Sequence, residues 1–146
     1  MQQLLYAMQF HGEGVPADDG SMHASTRSPS TRITSSVGPA GLGGGIERGD
    51  GGEATFVSQV RMTGDTSFTE TGTITFGDGN SFDFSTIGEG YMGSSPVEGT
   101  AHGAISWRID SGTGQFAGAT GIITSNFTFS AQGEVTDYQF GVIWLA

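Results

Sequence analysis

From Glu53 to the C-terminus the chain repeats one unit, an apolar and Thr-rich segment of about ten residues closed by Gly, Asp, Asn or Pro. Within these segments apolar and polar positions alternate with period two, and the 3.6-residue period of a helix does not appear. Strands are predicted at Leu4 to Phe10, Arg32 to Val37, Glu53 to Met62, Thr66 to Phe76, Ser81 to Glu89, Val97 to Ile109, Gly121 to Ser130 and Val135 to Leu145. Turn residues separate them at Thr63-Gly64-Asp65, Gly77-Asp78-Gly79-Asn80, Gly93-Ser94-Ser95-Pro96 and Gln132-Gly133. Consecutive strands joined by tight turns pair antiparallel, so the chain reads as one all-β domain, a meander, sandwich or barrel of seven or eight strands. Gly12 to Thr31 and Gly38 to Gly52 break the rhythm and are expected to be long loops, the second a flexible lid or linker.

Parity then sorts the side chains into two faces. In Thr66 to Phe76 one face carries Phe68, Glu70, Gly72, Ile74 and Phe76, and the other a ladder of threonines suited to water. Glu70 is thereby placed among apolar side chains, where an ionised and unpaired carboxylate is costly. Phe82, Phe84 and Thr86, then Val97, Ala101, Ile105, Trp107 and Ile109, then Ile123, Phe127 and Phe129 fall in phase with this interior. A closed sheet of about eight strands holds either side chains alone or side chains and one small ligand. Val135 to Leu145 is apolar at both parities, which calls for a cover on its outer side; self-association is the simplest one. Leu4, Tyr6, Met8 and Phe10 are expected beside it, closing the sheet.

Composition narrows the function. Glycine makes up 26 of 146 residues, with 16 Ser and 17 Thr, which favours strands and turns over helices. The five cations, all arginines, face 15 acids, for a net charge of −10, so neither nucleic acid nor an anionic membrane surface is an expected partner. No apolar run reaches membrane-helix length, and Met1 to Phe10 lacks the pattern of a signal peptide, so a cytoplasmic location is expected. The absence of cysteine excludes disulfides and thiol chemistry. His11, His23 and His102 share no ligand spacing, and no metal site is expected. The glycine-rich Gly38 to Gly52 lacks the Lys-Ser/Thr and the following helix of a phosphate-binding loop. No serine sits at a nucleophile elbow.

The stretch Ser111-Gly112-Thr113-Gly114-Gln115-Phe116-Ala117-Gly118-Ala119-Thr120-Gly121 resembles the turn-and-strand signature of allene oxide cyclase and dirigent proteins and of bacterial barrel proteins related to them. Its glycines permit a sharp connection, and Phe116 can plug the barrel end before the chain re-enters the sheet. The resemblance implies an eight-stranded antiparallel up-and-down β-barrel with an apolar cavity, oligomerising as a dimer or trimer. It further implies isomerase, cyclase or coupling chemistry on an apolar substrate without metal or redox cofactor, and in such cyclases a buried carboxylate assists an epoxide-containing substrate. Glu70 matches that role by chemistry, although no motif around it carries the assignment over.

General acid/base work is the chemistry this inventory allows. A desolvated Glu70 takes a raised pKa and can move a proton. Tyr138, Tyr6, Tyr91, Arg61 and His102 are the candidate donors beside it, with Tyr138 and Arg61 as its expected catalytic companions and Arg61 also as an ion-pair partner that would quench Glu70. Asp137 ranks second among the acids, with a turn amide as its bland alternative. Phe68, Phe84, Trp107, Phe127, Phe129 and Tyr6 are the expected substrate-binding residues. A non-catalytic barrel that carries a hydrophobic ligand, and a structural oligomer with a filled core, remain as alternatives.

Overall fold

A computed structural model describes residues 1–146. The chain is all-β, with strands β1 (Gln2–Pro16), β2 (Met22–Gly38), β3 (Gly41–Met62), β4 (Ser67–Phe76), β5 (Ser81–Thr86), β6 (Gly90–Ser94), β7 (Thr100–Thr113), β8 (Thr120–Ser130) and β9 (Glu134–Leu145). A three-residue 3-10 turn, Gly114–Phe116, is the only helical piece, and no helix is long and apolar enough to cross a membrane. Every pairing is antiparallel, in the order β3-β2-β1-β9-β8-β7-β5-β4, and β3 pairs with β4 to close the ring. β5 and β6 share one place in it, since each pairs with both β4 and β7. The result is the expected eight-position up-and-down barrel, although the ring is not evenly closed.

Its interior follows the predicted parity except at Val97, which lies in the turn before β7 and is 65% exposed. Phe68, Ile74, Phe82, Phe84, Ile105, Trp107, Ile109 and Ile123 are buried together with Tyr6, Phe10, Phe56 and Ile143. Phe84 packs on Trp107 with ring centroids 4.4 Å apart, and Phe56 stacks on Phe84 at 5.4 Å. Gly72 makes this possible, because a Cβ there would lie 2.8 Å from the Phe84 ring and 2.3 Å from the Val57 carbonyl oxygen. Phe116 closes one end, as expected: Gly114, at φ +58°, turns the chain, and the Phe116 ring packs against Phe76 at 5.2 Å and Phe82 at 5.1 Å.

The two expected loops are strands. Gly12 to Pro16 completes β1, Met22 to Thr31 belongs to β2, and only Ala17 to Ser21 turns between them. Gly41 to Gly52 is the first half of β3, and its Gly41 to Arg48 pairs with Thr31 to Gly38 in a long hairpin. Their Gly, Ser and Thr content misleads because ladder bonds use only backbone groups. Inside the crowded barrel, small side chains such as Ala24, Thr26 and Ser28 are what fit opposite the phenylalanines.

Two features make the ring uneven. β1 pairs with β2 only from His11↔Arg27 to Pro16↔Met22, whereas Gln2 to Phe10 pairs with β9 alone. Beyond Pro29 the β2–β3 hairpin shifts register and projects from the barrel as a two-stranded arm.

Candidate functional site

At the end opposite Phe116 the barrel holds a cavity of about 60 Å³, open at its mouth. Its wall is mostly apolar, with Met22, Phe68, Met92, Phe127 and Phe129 prominent, and two carboxylates, Glu70 and Asp137, are set into it. Phe127 meets Phe68 edge to face at 5.8 Å. The volume is room for about four waters, far below the several hundred Å³ of a pocket that swallows a drug-sized molecule.

Glu70 is positioned by a break in the sheet. β4 exchanges β5 for β6 at this residue, pairing Thr71 with Ser85 on one side and Phe68 with Gly90 on the other. The hydroxyl of Thr86 fills the gap: the Glu70 backbone N–H donates to Thr86 Oγ1 at 2.6 Å, and Thr86 Oγ1 donates to the Glu70 carbonyl at 2.7 Å. From β3, Ser58 Oγ donates to Glu70 Oε1 at 2.6 Å. Burial lifts the Glu70 carboxyl to about 8, the Ser58 bond opposes the lift, and the negative charge of Asp137 adds to it. The Trp107 indole also favours the ionised form by its nearness, yet its Nε1 has no hydrogen-bond partner of its own.

Asp137 repeats the device on the facing strands. Ser125 Oγ donates to Asp137 Oδ1 at 2.5 Å, and Gln139 Nε2 donates to Oδ2 at 2.8 Å. Tyr6 completes the chain by donating its hydroxyl to Gln139 Oε1 at 2.6 Å. Burial raises Asp137 to about 6, against the pull of Ser125 and Gln139. The same burial, reinforced by the Asp137 charge, drives the Tyr6 phenol well above its ordinary value. Near neutral pH the two carboxyls hold one proton between them, on Glu70. The Thr26 hydroxyl, also on the cavity wall, is buried without a partner.

Of the predicted residues, Glu70, Phe68, Phe127 and Phe129 meet at the cavity. Phe84 and Trp107 are buried in the aromatic core behind it, and Tyr6 reaches it only through Gln139. Tyr138 and Arg61 are corrected as companions of Glu70, since both point outward. Tyr138 is 39% exposed and bonds Gln9, because it has the parity opposite to Asp137; Arg61 pairs with Asp19 at 2.9 Å. Asp137 faces the interior instead of binding a turn amide. Its signal lay in the sequence, at the parity it shares with Gln139, Ile143 and Leu145. No cluster of three His, Asp or Glu side chains is placed to hold a metal ion.

No family model, curated protein or solved structure matches the chain.

Proposed function

We propose that the protein is a cofactor-independent cytoplasmic enzyme that receives an apolar small molecule at the barrel mouth and isomerises or cyclises it by proton transfer. The observation that carries this reading is the pair of buried carboxyls, one lifted to about 8 and the other to about 6, in the wall of one otherwise apolar cavity. Two acids whose environments separate their pKa values supply an acid and a base at the same pH. Glu70, protonated at neutrality, donates to an epoxide or carbonyl oxygen, and ionised Asp137 accepts a proton from carbon. The unpartnered Thr26 hydroxyl is a second donor for that oxygen. With about 60 Å³ available, only the reacting fragment enters, while the apolar remainder lies against Met22, Met92 and Phe129 at the mouth. The likeness of Ser111–Gly121 to allene oxide cyclase and dirigent proteins supports the same class of reaction.

The test is a panel of small apolar epoxides and enolisable ketones, followed by NMR in deuterated buffer with the wild type, Glu70→Gln and Asp137→Asn. Conversion by the wild type, greatest between about pH 6 and 8 and lost in both folded variants, is the expected result. A second reading, a barrel that only binds an apolar ligand, is favoured by the small volume of the cavity. Saturable binding without conversion, unchanged by Glu70→Gln, would establish it in place of the enzyme.

A further inference from the structure

Apart from the outer edge of β3 in the projecting arm, Gly41 to Arg48, the barrel carries two unpaired strand edges of similar length. One is the β2-facing side of β1 from Gln2 to Phe10, where every second residue turns its N–H and C=O toward an open groove. That groove, lined by Met8, Ser30, Glu53, Ala54 and Phe76, has a volume of about 310 Å³. The other is the outer edge of β2 from Thr31 to Gly38, in the projecting arm. The arm's ladder runs from Thr31↔Arg48 to Gly38↔Gly41, a length of about 25 Å.

The chain does not close its own seam. Continuing the His11↔Arg27 register would set Gln9 against Pro29, which has no N–H to give, and the ladder to β3 shifts between Pro29 and Thr31. Ser30 Oγ bonds the Gly52 carbonyl at 2.8 Å, and Gly51 adopts φ +150°, so the arm bends away from β1.

The arm is built to be covered. Its cross-strand pairs Ile33↔Ile46 and Val37↔Leu42 have the same parity, so all four apolar side chains share one face, with Ser35↔Gly44 between them. Val37 is 87% and Leu42 77% exposed. A two-stranded ribbon with no core is marginal in water by itself.

We infer that the arm of one chain adds to the free β1 edge of a second copy, with the two arms exchanged in a reciprocal dimer. Three observations favour a second copy as the occupant. The edges match in length, eight residues against nine, and each lacks a partner of the kind the other offers. Charge matches as well: Thr31 to Arg48 carries two arginines and one glutamate, a net +1, which leaves −11 on the rest of a chain whose total is −10. Finally, on the outer surface β1 exposes Leu5 at the seam and its neighbour β9 exposes Phe140 and Trp144, so an added arm extends an apolar surface.

The test compares the full chain, a variant in which residues 31–48 are replaced by an Asn-Gly turn, and the double variant Val37→Asp/Leu42→Asp, by light scattering and amide hydrogen exchange. The expected result is a dimer whose mass falls twofold in both variants, with the barrel's circular dichroism retained and the protection of alternate Gln2–Phe10 amides lost. The double variant changes only exposed side chains, so it separates lost association from lost folding. A monomeric full chain overturns the inference; protected Gln2–Phe10 amides in that monomer would mean that the arm folds onto its own edge. A dimer that survives removal of the arm also overturns it and moves the interface to the Phe140 and Trp144 surface.

Discussion

Asp137 acts on Glu70: both carboxyls are buried in the wall of one cavity, and the charge on Asp137 adds to the burial that lifts Glu70 to about 8. The influence is secondary to desolvation, which fixes the outcome of removing it. Asp137→Asn is expected to lower the Glu70 pKa only in part, leaving it above the ordinary value of 4.5. Ser58→Ala is expected to raise it further, because the Ser58 hydroxyl bonds best to the ionised form. Carbon-13 NMR of the side-chain carboxyls through a pH titration reads both shifts; an Asp137→Asn protein with an unmoved Glu70 would show that the two do not interact.

The same burial makes the fold sensitive to alkali. The unfolded chain ionises Glu70 from its ordinary 4.5, while the folded chain retains the proton until about 8. Between those values unfolding releases a proton, so stability is greatest below the window and falls as pH rises through it, by about 1.4 kcal/mol per pH unit. Asp137 contributes in the same direction between 3.8 and about 6. Glu70→Gln keeps an oxygen for Ser58 and removes the larger window. It is expected to resist urea better than the wild type at pH 8, by about 4 kcal/mol, and to match it near pH 4.5. Equal urea midpoints for the two proteins at pH 8 would remove the claim that the buried carboxyl costs stability.

Glu70 was legible in the sequence because its strand alternates strictly, and Phe68 and Ile74 in phase with it leave no doubt about its face. Asp137 was harder to place because β9 carries aromatic and aliphatic residues outside, at Tyr138, Phe140, Val142 and Trp144, and polar ones inside, at Asp137 and Gln139. Hydrophobicity therefore points the wrong way for half of that strand. The serines that hold the two acids left no trace, because a small inward hydroxyl looks like a turn residue until its neighbours across the ladder are known. Of the arm, Arg32 to Val37 reads as a strand and is one, while its partner Gly41 to Arg48 reads as a loop for a related reason. Ser, Thr and Gly run through the arm, and its four apolar residues show a pattern only once Ile33 is set against Ile46 and Val37 against Leu42.

Arg61 and Tyr138 lie outside the barrel wall, which predicts that neither matters to the cavity. Arg61 holds Asp19, whose carboxyl is kept down at about 2 first by the hydroxyl and N–H of Ser21 and only then by Arg61. Arg61→Ala and Tyr138→Phe are each expected to leave the Glu70 and Asp137 titrations, and any turnover that depends on them, unchanged within error. A shift in either carboxyl on replacing Arg61 would mean that its charge reaches the interior.

Phe116 closes the barrel at the end away from the cavity, buried against Phe76 and Phe82. Truncating a buried phenylalanine costs about 3 to 5 kcal/mol through lost burial and the void left behind. Phe116→Ala is expected to lower stability by that amount while Glu70 keeps its raised pKa, since Ser58, Thr86 and Asp137 all lie beyond the aromatic layer of Phe56, Phe84 and Trp107. The same truncation at Phe127, on the cavity wall and only partly buried, is expected to cost less stability but to admit water beside Glu70 and bring its pKa down. Urea unfolding and carboxyl NMR on the two variants separate the roles: Phe116 sustains the fold, and Phe127 sustains the dryness of the site. A Phe116→Ala protein that lost the raised pKa would show that the two ends of the barrel are not independent.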